Sequence, residues 1–214
     1  MTEIIERTME ALRKNNMQAY YVEKKDNVAE LVKTLISKGD TVTHGGSVTL
    51  GECNIPALLS NGDYNYLDRN AEGLTREDIL AIYEKTFSAD VFFTSANAIT
   101  ENGLLYNVDG NSNRVAAILY GPKSVIVIAG CNKIVPDINA AMVRLKTVAA
   151  PKNTKRLQCK TPCAVTGKCM AADNPMLAEG CKSPERICCN YVVTAQQRHK
   201  DRIKVIIVGE SLGY

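Results

Sequence analysis

The chain has 214 residues, 45% of them apolar and 23% charged, a mix that suits one globular domain and excludes collagen, coiled coil and wholesale disorder. At this length about 70% of the unfolded surface can be buried, so a core forms without covalent staples. The net charge of +3 is uneven: residues 1–143 carry 13 Lys/Arg against 18 Asp/Glu, whereas residues 144–204 carry 13 against 4.

Residues 3–15 read as an amphipathic helix, with Ile4, Ile5, Met9 and Leu12 on one face. Asn27 is placed to cap a second helix carrying Val28, Leu31, Val32, Leu35 and Ile36, which Gly39 would end. A short strand, Thr41–Thr43, leads into His44-Gly45-Gly46-Ser47, and Leu50–Leu59 reads as helical despite Pro56. Tyr64–Leu67 is a candidate strand, and Thr75 caps a helix running to Phe87. Val91–Thr94 has a buried-strand pattern, Leu104–Val108 alternates as a strand, and Asp109-Gly110-Asn111 is a turn. Asn113–Leu119 reads as a short helix or turn, Ser124–Ala129 as a core strand, and Pro136–Val148 as a helix.

Pro151 marks a shift in composition. From there to about Asn190 the chain is rich in cysteine, proline and basic residues and has little periodicity. Strand patterns return at Tyr191–Val193 and Ile203–Val208, so residues 151–190 form a segment inserted within one domain spanning 1–214. The alternation of strands and helices predicts a layered α/β fold with a mainly parallel sheet. The longest apolar runs fall far short of the ~20 residues of a membrane span. Met1–Arg7 has early acids and no apolar leader core. A cytoplasmic protein without membrane contact is therefore expected.

Two stretches suit ligand chemistry. In Thr43-His44-Gly45-Gly46-Ser47-Val48-Thr49, two glycines permit close backbone approach and a helix start favours an anion. It matches neither the Rossmann fingerprint nor the P-loop, and a tight structural turn explains it equally well. Around Glu101, small polar residues from Thr94 to Gly103 follow a buried strand, where ligands gather in open α/β sheets. There Glu101 would serve as nucleophile or general base, against the alternative of an Asn-Gly turn with an exposed glutamate.

The sequence resembles the lactate-utilisation (LUD) domain family. The resemblance is carried by His44–Leu50, Ala96–Gly103, Asp109–Val115, Gly130–Val135 and the stretch Val208–Tyr214. It implies a NagB/RpiA/CoA-transferase-like, Rossmann-like layered fold. Thr100-Glu101-Asn102-Gly103 looks like the stretch that supplies the catalytic glutamate of CoA transferases, which singles out Glu101. The expected ligand site then gathers His44, Gly45, Gly46, Ser47, Asn97, Asn102 and Gly103, with Asn113 and Arg114 holding a second anionic group or bracing the loop. The expected ligand is a small anionic metabolite or a CoA-like molecule. No flavin or nicotinamide fingerprint accompanies it.

Six of the eight cysteines fall between Cys159 and Cys189. Clustered thiols in a reducing compartment more often hold metal than form disulfides. The text around Cys163, Cys169, Cys181 and Cys188 resembles the cysteine-rich tail of one LUD subgroup, with an insertion between Cys169 and Cys181. Four thiolates and little else point to soft-metal chemistry, an iron–sulfur cluster of the 4Fe-4S kind first, with zinc as the alternative and free thiols or disulfides as a third. Three functions follow as expectations: a redox-linked protein of lactate or organic-acid utilisation, a CoA-transferase-like enzyme acting through Glu101, and a non-enzymatic metal-binding or regulatory module. Expected partners are iron–sulfur redox proteins and further copies of the chain. The basic segment alone does not argue for nucleic acid, since no helix-turn-helix or tryptophan accompanies it.

Overall fold

The structure, a computed structural model, describes residues 1–214. Ten strands are formed: β1 (Gln18–Val22), β2 (Thr41–His44), β3 (Asn65–Leu67), β4 (Val91–Thr94), β5 (Ala98–Thr100), β6 (Leu105–Asp109), β7 (Ser124–Gly130), β8 (Ile134–Val135), β9 (Asn190–Thr194) and β10 (Ile203–Val208). The helices are α1 (Glu3–Lys14), α2 (Val28–Lys33), α3 (Val48–Glu52), α4 (Ile55–Leu59), α5 (Arg76–Thr86), α6 (Asn113–Leu119), α7 (Ile138–Arg144), α8 (Ala150–Arg156) and α9 (Pro162–Thr166). None is long and apolar enough to cross a membrane.

The expected parallel sheet is present, with strand order β1-β10-β7-β4-β2-β3 and every neighbouring pair parallel. Helices cover both faces, which is why β4, β7 and β10 are largely apolar on both sides rather than alternating. Along β7, Val125, Val127 and Ala129 pack on one face with Ile5, Met9 and Leu12 of α1. Ile126 and Ile128 point to the other face and pack with Val28, Val32, Leu50 and Leu59. The period of two in a strand makes this division. At the N-terminus of α1, Thr2 accepts a hydrogen bond from the Ile5 amide, acids occupy the first turn and Arg13 and Lys14 the last. Thr75 and Asp78 form a reciprocal capping box on α5.

The structure also departs from the sequence reading. β1 was not foreseen; it is the edge strand beside β10. A second, four-stranded sheet, β8-β5-β6-β9, stands beside the first. In it β6 runs antiparallel to both β5 and β9, while β5 runs parallel to β8. The stretch read as a loop after β4 therefore contains a strand, and Thr100–Gly103 is the turn of the β5–β6 hairpin. The expected helix over residues 50–59 is two short ones, parted at Asn54, which takes the left-handed conformation at φ 56°. The second helix is preceded by a 3-10 turn over Lys25–Asn27, and the Asn27 side chain makes no capping bond. The late helix does not stop at Val148 but continues through Pro151 to Arg156. α7 begins with Asp137 accepting from the Ala140 amide, then passes through a π-helical turn, Leu145–Ala149, into α8. A proline has no N–H to donate and crowds the preceding turn, and a local change of register accommodates it.

Candidate functional site

A cleft of about 500 Å³ opens where the parallel strands end. Its walls are the segments following the C-terminal ends of several of them: Gly46–Thr49 after β2, Arg69 after β3, Ser95–Asn97 after β4 and Lys133 after β7. Asp109–Asn111 with Asn113 and Arg114, then Arg156, Arg186 and Tyr214, close the remaining sides. This is where an open α/β sheet carries ligands, because loops diverge there and leave a crevice.

The floor is built around Lys133. It is only 4% exposed, and its Nζ donates to Thr49 Oγ1 and Ser95 Oγ, each at 2.9 Å. No carboxylate forms an ion pair with it. Burial, reinforced by the positive charges of Arg144 and Arg114, lowers its pKa to about 7. Arg144 lies beneath, donating to the backbone carbonyls of Asn97 (2.6 Å) and Asn132 (3.2 Å), and burial lowers its pKa too. Five cationic side chains line the cleft, Arg69, Arg114, Lys133, Arg156 and Arg186, against two acids, Asp109 and Glu185. Asp109 is already paired with Arg114 at 2.7 Å. The unbalanced positive charge suits an anionic ligand.

Arg114 and Arg69 line the same cleft in different ways. All five N–H bonds of Arg114 are used, on Asp109 Oδ1, Ser95 O, Asn107 Oδ1, Asn97 Oδ1 and Val108 O. Since a guanidinium has only five donors, none is left for a ligand, and the residue braces the β4 and β6 ends. Arg69 donates once, to the Tyr83 hydroxyl at 3.0 Å, and its Nε is buried without a partner. Its guanidinium stands over the Tyr83 ring, 5.8 Å from the centroid.

The glycine pair of the β2–α3 turn serves these arginines. A Cβ on Gly45 would sit 3.1 Å from Cγ and Cδ of Arg114, and one on Gly46 would sit 2.6 Å from a terminal nitrogen of Arg69. Ser47 is used as a cap, its Oγ accepting from the Leu50 amide at 3.3 Å. His44 turns away from the cleft. Its Nδ1 faces the Gly45 carbonyl at 2.8 Å, its ring stacks on Tyr66, burial lowers its pKa, and its Nε2 has no partner. It borders a separate void of about 10 Å³ that also touches Arg69 and Asn113.

Of the residues expected to form the site, the cleft gathers Gly46, Ser47, Asn97, Asn113 and Arg114. Asn97 is engaged there, its Oδ1 accepting from the Val108 amide and from Arg114. His44 and Gly45 stand behind the wall. Glu101, Asn102 and Gly103 are elsewhere, and the expectation that Glu101 faces the glycine turn is corrected by the strand β5, which carries the hairpin away. Glu101 is ion-paired with Arg7 of α1, with 23% of its side chain exposed. The Asn102 carbonyl accepts from Asn15, and the Asn102 side chain from the Thr100 hydroxyl. Gly103, at φ +81°, lies against the backbone of Ala11 and Leu12. Lys133, Arg69, Thr49 and Ser95 were not singled out as site residues in the sequence. One signal was there for Lys133: it follows the clearest core strand at its C-terminal end.

The cysteines do not form a ligand set as folded: no three His, Cys, Asp or Glu side chains converge in metal-binding geometry. Cys163 lies 3.4 Å from the hydroxyls of Thr154 and Thr161. Cys188 belongs to the core between the second sheet and α7, and accepts from Arg186 Nε at 3.3 Å. Cys169 is buried and Cys181 half-buried. Cys159, instead, borders the cleft.

A two-faced parallel sheet with a cation-lined crevice at the ends of its strands defines an α/β protein of Rossmann-like layering. The chain belongs to the LUD domain family, whose model matches residues 5–208. It is similar in fold to a DUF162 family protein from Deinococcus radiodurans, with a TM-score of 0.52 and 14% identity over 97% of each chain. A further solved structure, eIF2B beta from Chaetomium thermophilum, matches at a TM-score of 0.37 and 19% identity over 54% of this chain and 44% of that one, too distant to carry an argument. Curated proteins gave no match.

Proposed function

We propose that the cleft binds a small organic anion, in keeping with a role in lactate or organic-acid utilisation, and that Lys133 is its principal recognition group. The observation that carries this is a buried lysine on the floor of a solvent-reached cleft, held by two hydroxyls, with no carboxylate in ion-pair contact and with Glu52 too weak a countercharge to offset its burial beside Arg144 and Arg114. A buried cation without a countercharge is costly, and an incoming anion relieves that cost. Arg69 and Arg156 add charge without carboxylate partners of their own. CoA-transferase-like acyl transfer through Glu101 is less well supported, since Glu101 lies outside the cleft and is held by Arg7. Calorimetric titration with L-lactate, pyruvate, inorganic phosphate and coenzyme A tests the reading. Saturable binding of an organic acid that weakens with salt and is lost in Lys133→Met supports it; no binding of any of the four overturns it.

The redox reading, an iron–sulfur or zinc centre on Cys163, Cys169, Cys181 and Cys188 that serves iron–sulfur partner proteins, is a second proposal. It is favoured by the inward placement of Cys163, Cys169 and Cys188 within a segment that is otherwise largely exposed and basic. Because the thiols do not converge as folded, it requires residues 159–189 to rearrange. Iron, zinc and sulfide analysis of protein purified without oxygen decides it: stoichiometric metal supports the centre, and metal-free protein with titratable thiols removes it.

A further inference from the structure

We propose that Lys133 forms a covalent imine with its ligand, so that the cleft takes small carbonyl compounds that also carry an anionic group. This rests on the anion-binding reading above and extends it from recognition to chemistry.

The geometry at Nζ is the first argument. A neutral amine has two N–H bonds and one lone pair. Thr49 Oγ1 and Ser95 Oγ accept the two N–H bonds, at 2.9 Å each. The lone pair is then the one position on Nζ without a hydrogen-bond partner, on a lysine that lines the cleft beside Gly213. The surroundings are the second argument. Most lysines are protonated at neutral pH and therefore not nucleophilic, but this one titrates at about 7 because it is buried beside Arg144 and Arg114. The third argument is the size and charge of the cleft: about 500 Å³ holds a small metabolite, and Arg69 and Arg156 are placed on its walls for an anionic group.

The reaction balances with nothing beyond water and protons. The Nζ lone pair attacks the carbonyl carbon, forming C–N, and the π pair of C=O moves to oxygen. One nitrogen proton passes to that oxygen through the Ser95 or Thr49 hydroxyl, giving a carbinolamine. The oxygen then takes a second proton from the medium and leaves as water while the nitrogen lone pair closes C=N. The product is an iminium that keeps one N–H and one positive charge. Formed next to Arg114 and Arg144, that charge is tolerated when the ligand brings a negative one, so the same floor selects for carbonyl and anion together.

Borohydride trapping tests this. Protein is incubated with pyruvate in one arm and glyceraldehyde 3-phosphate in the other, reduced, digested and mapped by mass spectrometry. The expected result is a single reduced adduct on Lys133, absent from Lys133→Arg and prevented in wild type by excess L-lactate. The competition arm needs no variant, so it holds even if the substitution disturbs folding. Trapping by pyruvate alone assigns a carboxylate ligand, and trapping by the phosphate compound alone assigns a phosphorylated one. Adducts scattered over many lysines and unaffected by lactate overturn the proposal. So does the absence of any adduct at pyruvate concentrations that saturate binding by calorimetry. Binding without trapping removes only the imine; no binding removes the anion reading as well.

Discussion

Two turns of this chain each place a charged side chain next to an asparagine after a β-strand. Glu101 and Asn102 follow β5; Asn132 and Lys133 follow β7. The first turn packs on α1, where the glutamate meets Arg7, itself half exposed. The second faces the cleft, where the lysine is buried beside two arginines and hydrogen-bonded only to hydroxyls. Exposed ion pairs contribute little and are screened by salt, whereas a buried charge without a partner changes its proton affinity and its reactivity. The residue type and the local motif are thus poorer guides to chemistry than what surrounds the group. A glutamate with a reactive-looking text is tied to a neighbouring helix, and a lysine in a plain turn is poised.

The sharpest way to break this contrast is to neutralise each group. Lys133→Met is expected to weaken binding of a small organic acid by roughly a hundredfold, the loss of a charge-assisted contact in a desolvated site. Glu101→Gln is expected to leave that affinity unchanged and to alter thermal stability only slightly. Equal losses from the two variants in calorimetric titration would erase the distinction between the turns.

A second substitution examines the structural role of the hairpin. An alanine at Gly103 would need φ near +81°, and its Cβ would fall 2.6 Å from the Ala11 carbonyl carbon and 2.7 Å from the Leu12 nitrogen. Backbone cannot yield as a side chain tip can. Gly103→Ala is therefore expected to lose about 2 kcal/mol of stability in urea unfolding with ligand affinity retained. If affinity fell and stability held, the hairpin would belong to the site after all.

Lys133 also makes a pH signature. Its pKa falls from 10.5 when unfolded to about 7 when folded. Between those values the unfolded chain binds the extra proton, so stability rises with pH across that window. Below pH 7 both states are protonated and the cost of burying the charge is fully present; above 10.5 neither is. Wild type compared with Lys133→Met should therefore gain stability from pH 7 upward, by at most about 1.4 kcal/mol per pH unit. A flat difference across that range, measured by chemical denaturation, would show that the lysine is not desolvated.

Much of the fold could be read from sequence because three of its central strands are largely apolar runs. Val91–Thr94, Ser124–Ala129 and Ile203–Val208 announce a sheet buried on both faces. The second sheet could not be read in the same way. β5 and β8 have three and two residues, too few to show a period, and exist through pairings such as Ile99 with Ile134. Without β5, the residues from Thr94 to Gly103 read as one stretch following β4, and Glu101 with them. Lys133 was hidden for a related reason: its partners Thr49 and Ser95 are 84 and 38 residues away in sequence. Burial of a polar group by distant segments leaves no local pattern.

The adjacent glycines at 45 and 46 give the smallest and most discriminating comparison, because the same change at neighbouring positions should be felt in different measurements. Neither residue has a positive φ, so alanine fits the backbone and only space is at issue. At Gly46 the new methyl meets the far end of Arg69, at 2.6 Å. That side chain makes one hydrogen bond, to Tyr83, and can swing aside. Gly46→Ala should keep the fold and move Arg69, lowering organic-acid affinity several-fold through loss of one partly solvated charge. At Gly45 the methyl meets the Arg114 stem at 3.1 Å and the Phe92 ring at 3.4 Å. Arg114 is fixed by five hydrogen bonds and cannot give without breaking some of them. Gly45→Ala should therefore register first as a loss of stability of about 1 kcal/mol, with a smaller effect on binding in the folded fraction. Unfolding and titration on the two variants separate the roles: if Gly46→Ala binds as wild type does, Arg69 is not part of the ligand site and the anion must be held by Lys133 and Arg156.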